Sequence, residues 1–265
     1  MRSLRWRELS TTDFDELDAD EIVVVLPIGS TEQHGPHLPV GTDSLIMESV
    51  VDGVIERHKD LPCLFLPTLW LGKSNEHVDF PGTVDLSRDT LSMVLDDISN
   101  AVARAGFRRF VVMNSHGGNT GTVNDMMRDI RLDTDMLTFQ MELGRVQKAT
   151  STVKDSPGSF DIHAGRKETS YILALHPHLL EGRDWKGLGS DKKRGRVAAS
   201  FSGFKYITPE GRPVGAGWLT TDLTEDGVVG EPELASAEEG RNELDALING
   251  VAEALRETAR FEFTE

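Results

Sequence analysis

At 265 residues the chain is long enough to bury a core without disulfides or a structural metal, and a single domain over 1–265 is expected. Its 44 acidic against 28 basic residues leave a net charge of −16, which argues against non-specific binding to nucleic acid or anionic membranes. Cys63 is the only cysteine, so an internal disulfide is excluded; with neither a signal-like apolar leader nor an apolar run of ~18 residues, a soluble, cytoplasmic protein is expected.

In chain order, the run Glu21-Ile-Val-Val-Val-Leu-Pro-Ile28 is continuous, β-branched and apolar, as in a strand buried on both faces of a parallel sheet. A polar loop punctuated by Gly and Pro follows. Over 42–59, Leu45, Ile46, Val50, Val51, Val54 and Ile55 recur at helical spacing, with Asp43 at the entrance. A second strand is predicted over 63–71, a polar loop over 72–85, and a helix over 88–105 with Leu91, Val94, Leu95, Ile98 and Val102 on one face. A third buried strand over 107–113 runs into Asn114-Ser-His-Gly-Gly-Asn-Thr120. A helix over 121–131 and a fourth strand over 137–143 come next. Residues 147–162, rich in Ser, Thr, Asp and Gly, read as a loop before a helix at 166–175. Residues 186–230 lack periodicity and read as an excursion or lid, and 233–261 form an amphipathic helix. Strand, loop and helix in alternation indicate an α/β fold with a mostly parallel sheet, in which ligands gather beyond the carboxyl ends of the strands.

The chemistry-bearing residues fall at that edge. Glu32 and His34 lie two apart, so along an extended segment their side chains project the same way, and Asp43 approaches from the next helix. A carboxylate, an imidazole and a second carboxylate suit Zn, Mn or Fe. His116 follows the third strand, and Gly117 and Gly118 let its backbone come close to a ligand. His163 and Glu168 form a third cluster, which is more than chance scatter of eight histidines should place at one edge. Each residue also has an ordinary reading. Asp43 is a good N-cap, His116 can cap a helix, and a carboxylate such as Glu168 is favoured in a first helical turn.

The segment Gly29-Ser-Thr-Glu-Gln-His-Gly-Pro-His-Leu-Pro-Val-Gly-Thr-Asp43 resembles the signature of the creatininase (creatinine amidohydrolase) family. Three further segments match in order: Gly72-Lys-Ser-Asn-Glu-His-Val-Asp-Phe-Pro-Gly-Thr83, Asn114-Ser-His-Gly-Gly-Asn119 and His163-Ala-Gly-Arg-Lys-Glu-Thr-Ser170. The resemblance implies a three-layer sandwich with a parallel sheet flanked by helices, a two-metal amidohydrolase acting on a small molecule, and a homo-oligomer, usually a hexamer. Carried over by position, Glu32 and His116 hold one metal, His34 the other, and Asp43 bridges them. Creatininase proper has a carboxylate ligand where this chain has Gly118; Glu168 is the expected replacement, because the second metal otherwise has few anionic oxygens. His163 matches the family's acid-base histidine. Glu76 is expected to share in catalysis, and His77, Asn119 and Ser74 to contact substrate. His37 reads as a structural hydrogen-bonding residue.

Creatininase proper carries an aromatic and acidic pair before that histidine, whereas this chain reads Ser159-Phe-Asp-Ile162, so creatinine itself is not the expected substrate. Other branches look like formamide hydrolases, peptidases of modified peptides, or hydrolases of cyclic ketones. A metal-dependent isomerase or lyase, and a metal-binding protein without catalysis, are the readings from other classes. Lys73, Arg166, Lys167, Lys192, Lys193 and Arg194 are either a phosphate-binding rim or ordinary solvated charges.

Overall fold

Four parallel strands form the central sheet in the order β2-β1-β3-β4, with β1 spanning Val23–Ile28, β2 Cys63–Phe65, β3 Arg109–Asn114 and β4 Leu137–Glu142. The computed structural model describes residues 3–151, 161–189, 197, 200–201, 203–208 and 213–264. Every residue of β1 and β3 is buried, because helices cover the sheet on both sides. Alternation along β1 divides the core. Val23 and Val25 pack with Val50, Ile172, Leu247 and Val251 on one face, while Val24, Leu26 and Ile28 pack with Leu91, Leu95, Val123 and Ile130 on the other.

The first face is covered by α1 (Thr42–Arg57), α5 (Arg166–Leu175) and α6 (Ala237–Arg260), and the second by α2 (Arg88–Arg104) and α3 (Thr120–Thr134). Each fully buried Leu, Ile or Val of α6 contributes about 1.5–3 kcal/mol. The α6 helix starts at Ala237, later than the predicted 233, because Pro232–Leu234 forms a separate 3-10 turn and the Ser236 side chain caps the helix by accepting from Glu239 N. Cys63 is free and buried, and burial pushes its thiol up to about 12.

Two expectations are corrected. The second strand pairs regularly over Cys63–Phe65 alone, rather than to 71. Pro27 of β1 faces that side and has no N–H to donate, so the ladder lapses after Leu66 N–H donates to Val25 O and resumes as a single bridge between Ile28 and Leu69. The predicted loop from 147 instead begins inside α4 (Leu143–Thr150), whose Leu143 and Val146 pack into the first core. Residues 152–160 lie outside the described part.

The chain steps from β1 to β2 on one side of the sheet and then crosses to β3 on the other. Strand order therefore reverses between β1 and β3, and their carboxyl ends frame the crevice where α/β sheets bind ligands. Among the described residues, no helix is long and apolar enough to cross a membrane.

Candidate metal centre

The loop leaving β1 folds back on itself. Glu32 N–H donates to the Val40 carbonyl at 2.8 Å, and Gly35 takes a φ of 67°, which glycine adopts at little cost. Glu32 and His34 are thereby brought beside Asp43 at the start of α1, and His116 arrives from the end of β3. All four side chains are buried.

Backbone carbonyls fix the tautomers of three histidines. His34 Nδ1–H donates to the Glu32 carbonyl (3.1 Å), His116 Nε2–H to the Lys73 carbonyl (3.0 Å), and His163 Nε2–H to the Gln33 carbonyl (2.7 Å). A carbonyl oxygen only accepts, so the opposite nitrogen of each ring carries its lone pair, and all three lone pairs turn toward carboxylates. His34 Nε2 faces Asp43 Oδ1 at 3.5 Å and Glu168 Oε2 at 3.8 Å; His116 Nδ1 faces Asp43 Oδ2 at 3.3 Å; His163 Nδ1 faces Glu32 Oε1 at 3.7 Å. Lone pair against carboxylate is repulsive unless a cation stands between them, and imidazoles held by their second N–H are the usual ligands of metals.

Three buried atoms among these residues, Glu32 Oε2, His34 Nε2 and Asp43 Oδ2, lack a well-directed hydrogen bond; Glu32 Oε2 lies 3.1 Å from His116 Nε2 and Asp43 Oδ2 3.3 Å from His116 Nδ1. Glu32, His34 and Asp43 each offer a ligand atom within 4.8 Å of the others, as do His34, His163 and Glu168, and Glu32, His77 and His163. Orphaned buried donors and acceptors of this kind carry a penalty that a divalent ion would remove. The donor set of imidazole nitrogen and carboxylate oxygen therefore fits divalent Zn, Mn or Fe. Asp43 turns its two oxygens toward two different histidines, as a bridging carboxylate must.

The electrostatics agree. Burial opposes a charge on His34, yet the carboxylates of Asp43, Glu168 and Glu32 push it up to about 10. Burial likewise opposes charge on His116, but Glu32 and Asp43 raise it well above the ordinary imidazole value. Glu168 goes the other way for a carboxyl: burial first, then Asp43 and Asp161, push it up to about 7. Protons are held here for the reason metals would be, since the carboxylates need cations.

His77 is wired in the opposite sense. Gln33 Oε1 accepts from Gly35 N–H, so its Nε2 is the donor to His77 Nδ1 at 2.8 Å, and His77 must carry its hydrogen on Nε2, 3.3 Å from Glu32 Oε1. It orients Glu32 and also lines the open cavity beside the cluster. Burial pushes it down to about 4, so it stays neutral. The His163 ring lies between His34 and His77, 4.2 Å from each centroid, and burial followed by those two neighbours lowers its pKa well below the usual value.

Asn119 and Ser74 are placed differently from their expected role as substrate contacts. Both are fully buried: Asn119 Oδ1 accepts from Lys73 N (2.8 Å) and its Nδ2 donates to Gly29 O (3.0 Å), while the Ser74 hydroxyl pairs with Ser30. They brace the two ligand loops. Glu76 stands on the His116 side, its Oε1 3.7 Å from Nε2, and burial raises its carboxyl. A Cβ at Gly118 would strike the Lys73 carbonyl, the Glu76 carboxylate and the His116 ring. Carboxylates thus reach the cluster from two other directions, Glu76 beside His116 and Glu168 beside His34.

Several supporting residues were not singled out from the sequence. Thr220 Oγ1 donates to Glu76 O and contacts His77 Nδ1, both at 2.8 Å; Gly227 O accepts from Gln33 Nε2; Val229 bridges to His163 as an antiparallel pair. They lie in the aperiodic stretch read as a lid, where only composition speaks, so sequence gives no signal for them. His37 is hydrogen-bonded to Thr169 Oγ1 at 2.9 Å, next to Glu168. Of the basic residues, Arg166 pairs with Glu239 at 2.5 Å, Lys73 Nζ reaches Asn75, and Lys167 is engaged; Lys192, Lys193 and Arg194 lie outside the described residues. Asp161 caps α5 by accepting from Arg166 N and Lys167 N, while Ser159 and Phe160 are outside the described part.

Two cavities flank the cluster and share Asp43, Ser115, Ile162, His163 and Glu168 as their common wall. One, of about 460 Å³, opens past Glu76, His116 and Trp218. The other, of about 270 Å³, runs between α4, α5 and α6.

The family model described as creatinine amidohydrolase matches residues 7–255. The mycofactocin precursor peptide peptidase of Mycobacterium tuberculosis (strain ATCC 25618 / H37Rv) is 31% identical over 261 residues, covering 96% of this chain and 91% of that protein. The creatinine amidohydrolase of Pseudomonas putida is 29% identical over 272 residues, covering 96% and 95%. A solved structure designated "Creatininase Mn" aligns over 98% of this chain and 100% of its own, with a TM-score of 0.75 and 26% identity.

Proposed function

The chain belongs to the creatininase (creatinine amidohydrolase) family, and from that premise we propose that it is a two-metal hydrolase cleaving a C–N amide bond in a small or peptide-like substrate. The observation that carries this reading is the convergence of the lone pairs of His34, His116 and His163 on the carboxylates of Glu32, Asp43 and Glu168, with three of the buried atoms lacking a well-directed hydrogen bond. The names of two relatives, a peptide peptidase and a creatinine amidohydrolase, both denote scission of an amide-type C–N bond. A third designation names Mn, one of the ions the donor set suits.

Two divalent ions held by Glu32, His34, Asp43, His116 and Glu168 would polarise the amide carbonyl and bring the pKa of a shared water toward neutrality. The chain's own groups handle the proton. His163 is neutral, its Nε2–H is committed to the Gln33 carbonyl, and Nδ1 is free to take a proton and pass it to the departing nitrogen. Glu76 lines the same cavity and, with its carboxyl raised by burial, is a second carrier.

A panel of cyclic amides, formamides and short peptides, assayed with Mn, Zn and Fe, tests the proposal. Release of an amine and a carboxylate in equal amounts is the expected result. A product of unchanged mass would replace this reading with an isomerase, and hydrolysis of a cyclic ketone without amine release would move the substrate to carbon–carbon bonds.

A further inference from the structure

The smaller cavity behind the cluster is finished with polar groups that nothing in the metal centre uses. Tyr171, on α5, is 5% exposed, lines this cavity, and its Oη has no hydrogen-bond partner among the described residues. Gln147, on α4, lines the same space, and its Nε2 is likewise buried and unpartnered. The Gln147 side chain stands beside the phenol as a hydrogen-bonding neighbour, but the pair falls short of a completed bond, so Tyr171 Oη and Gln147 Nε2 both remain available. Two buried donors left open at one wall cost of order 1–3 kcal/mol each unless something accepts from them.

We propose that this cavity is a recognition pocket for an uncharged carboxamide or ureide carried on a short aliphatic stem, gripped through its oxygen by Tyr171 O–H and Gln147 N–H. The inference rests on the hydrolase reading for its purpose, since the pocket shares the wall formed by Asp43, His163 and Glu168 with the open cavity. A substrate cut at that wall would place one arm here.

The chemistry of the pocket selects the group. A phenol keeps its proton at neutral pH and an amide N–H only donates, so both present hydrogens to a single acceptor oxygen. Asp161 adds a carboxylate to the lining, which disfavours an anionic ligand, while its oxygens can accept from the N–H groups of a carboxamide. Lys167 lines the cavity too but is already engaged. An ammonium would leave Tyr171 and Gln147 without an acceptor. Ile46, Leu143 and Leu247 supply the apolar part, enough for a stem of a few carbons in about 270 Å³.

The test measures binding rather than turnover. Mn-loaded protein is titrated with butyramide, butyrate and butylammonium, three probes of nearly equal shape, and affinity is read by ligand-observed NMR. Butyramide should bind more tightly than either ion. Tyr171→Phe and Gln147→Met, on different helices and each close in volume to the native residue, should each weaken it by about 3- to 10-fold, the worth of one neutral hydrogen bond, with metal content unchanged. Equal binding of butyrate or butylammonium, butyramide affinity indifferent to both substitutions, or no butyramide binding because the cavity holds water only, would each overturn the proposal. The two readings fail separately. Tyr171-dependent butyramide binding without hydrolysis of any amide would leave the pocket and remove the hydrolase, whereas amide turnover indifferent to Tyr171→Phe and Gln147→Met would do the reverse.

Discussion

Glu32, His34, Asp43 and His116 are carried on short connections leaving β1 and β3; His34 is set by a hydrogen bond within its own connection, while His116 and Glu32 are set by Lys73 O and His77 of the neighbouring 72–85 loop. His163 and Glu168 come from the other side, on the approach to α5 and in its first turn: His163 is held by the distant Gln33 O and Val229, and Glu168 Oε2 by Ala164 N, four residues before it, at 2.6 Å. The strand-borne half is a frame whose ligand directions are fixed by the fold itself. The covering half depends on the packing of 163–171 and 218–230 over that frame. The difference suggests a division of labour, with the frame retaining metal and the cover moving protons and choosing substrates.

The most severe break in that comparison is Asp43→Ala. One carboxylate faces both His34 and His116, so its loss should empty both ion positions and reduce activity by at least about 10³-fold, measured together by metal analysis and steady-state rate. Two ions retained with full turnover would remove Asp43 from the bridge.

On the covering side, His163→Ala should lower kcat by about 10²–10³-fold, within the range for a lost general acid-base group, with metal content intact. His163 also lies within ligand reach of Glu32 and of His34 with Glu168, so metal analysis of this variant is decisive. If the ions leave with the imidazole, His163 belongs to the frame and the division fails.

That ambiguity mirrors what could be read from the sequence. The frame was legible because its residues cluster in short motifs at strand ends: an apolar run, then Glu32 and His34, or Met113, then His116. Periodicity located the helices and the parallel sheet closely, α5 included. It overran the second strand because the missing N–H of Pro27 acts only through the pairing partner. It also missed α4, whose eight residues give too few turns for a clear stripe. In the cover, His163 and Glu168 were marked by their motif, but 218–230 was illegible. Thr220 and Gly227 reach His77 and Gln33 across more than 140 positions of sequence, and nothing local marks such contacts. Asn119 and Ser74, although inside motifs, are buried braces, because motif membership does not say which way a side chain points.

Acidity separates the halves in a third way. His37 and His77 are pushed down to about 4, by burial first, so their contribution to stability is complete above the ordinary value of 6.5 and is lost as pH falls through 4. His34 has the opposite sign: raised to about 10, it stabilises fully below 6.5 and loses that contribution as pH climbs through 10. Glu168, raised to about 7, likewise favours its protonated form and loses stability as pH rises from 4.5 through 7. Chelator-treated protein should therefore show a Tm that declines on both the acid and alkaline flanks. Adding Mn should restore the alkaline flank, where a metal replaces the protons of His34 and Glu168, and should not rescue the acid one. Equal rescue of both flanks would mean that the metal acts elsewhere.

The smallest expected effect sharpens the boundary most. Thr220 is buried, and its hydroxyl donates to Glu76 O and lies 2.8 Å from His77 Nδ1, at the seam between cover and frame. Thr220→Val preserves shape and removes only that hydroxyl. Gln33 still donates to His77 Nδ1, so the His77 hydrogen stays on the nitrogen facing Glu32. The variant should lose about 1 kcal/mol of stability for the hydrogen bond, with metal affinity unchanged and kcat altered by no more than about 10-fold. Titration with Mn alongside denaturant melts distinguishes the outcomes. Metal affinity reduced by about 10- to 100-fold, the size seen when a partner of a ligand is removed, would show that the cover helps hold Glu32 in place. The frame would then extend through His77 to Thr220, and the segment that reads in sequence as a lid would be part of the metal site's own support.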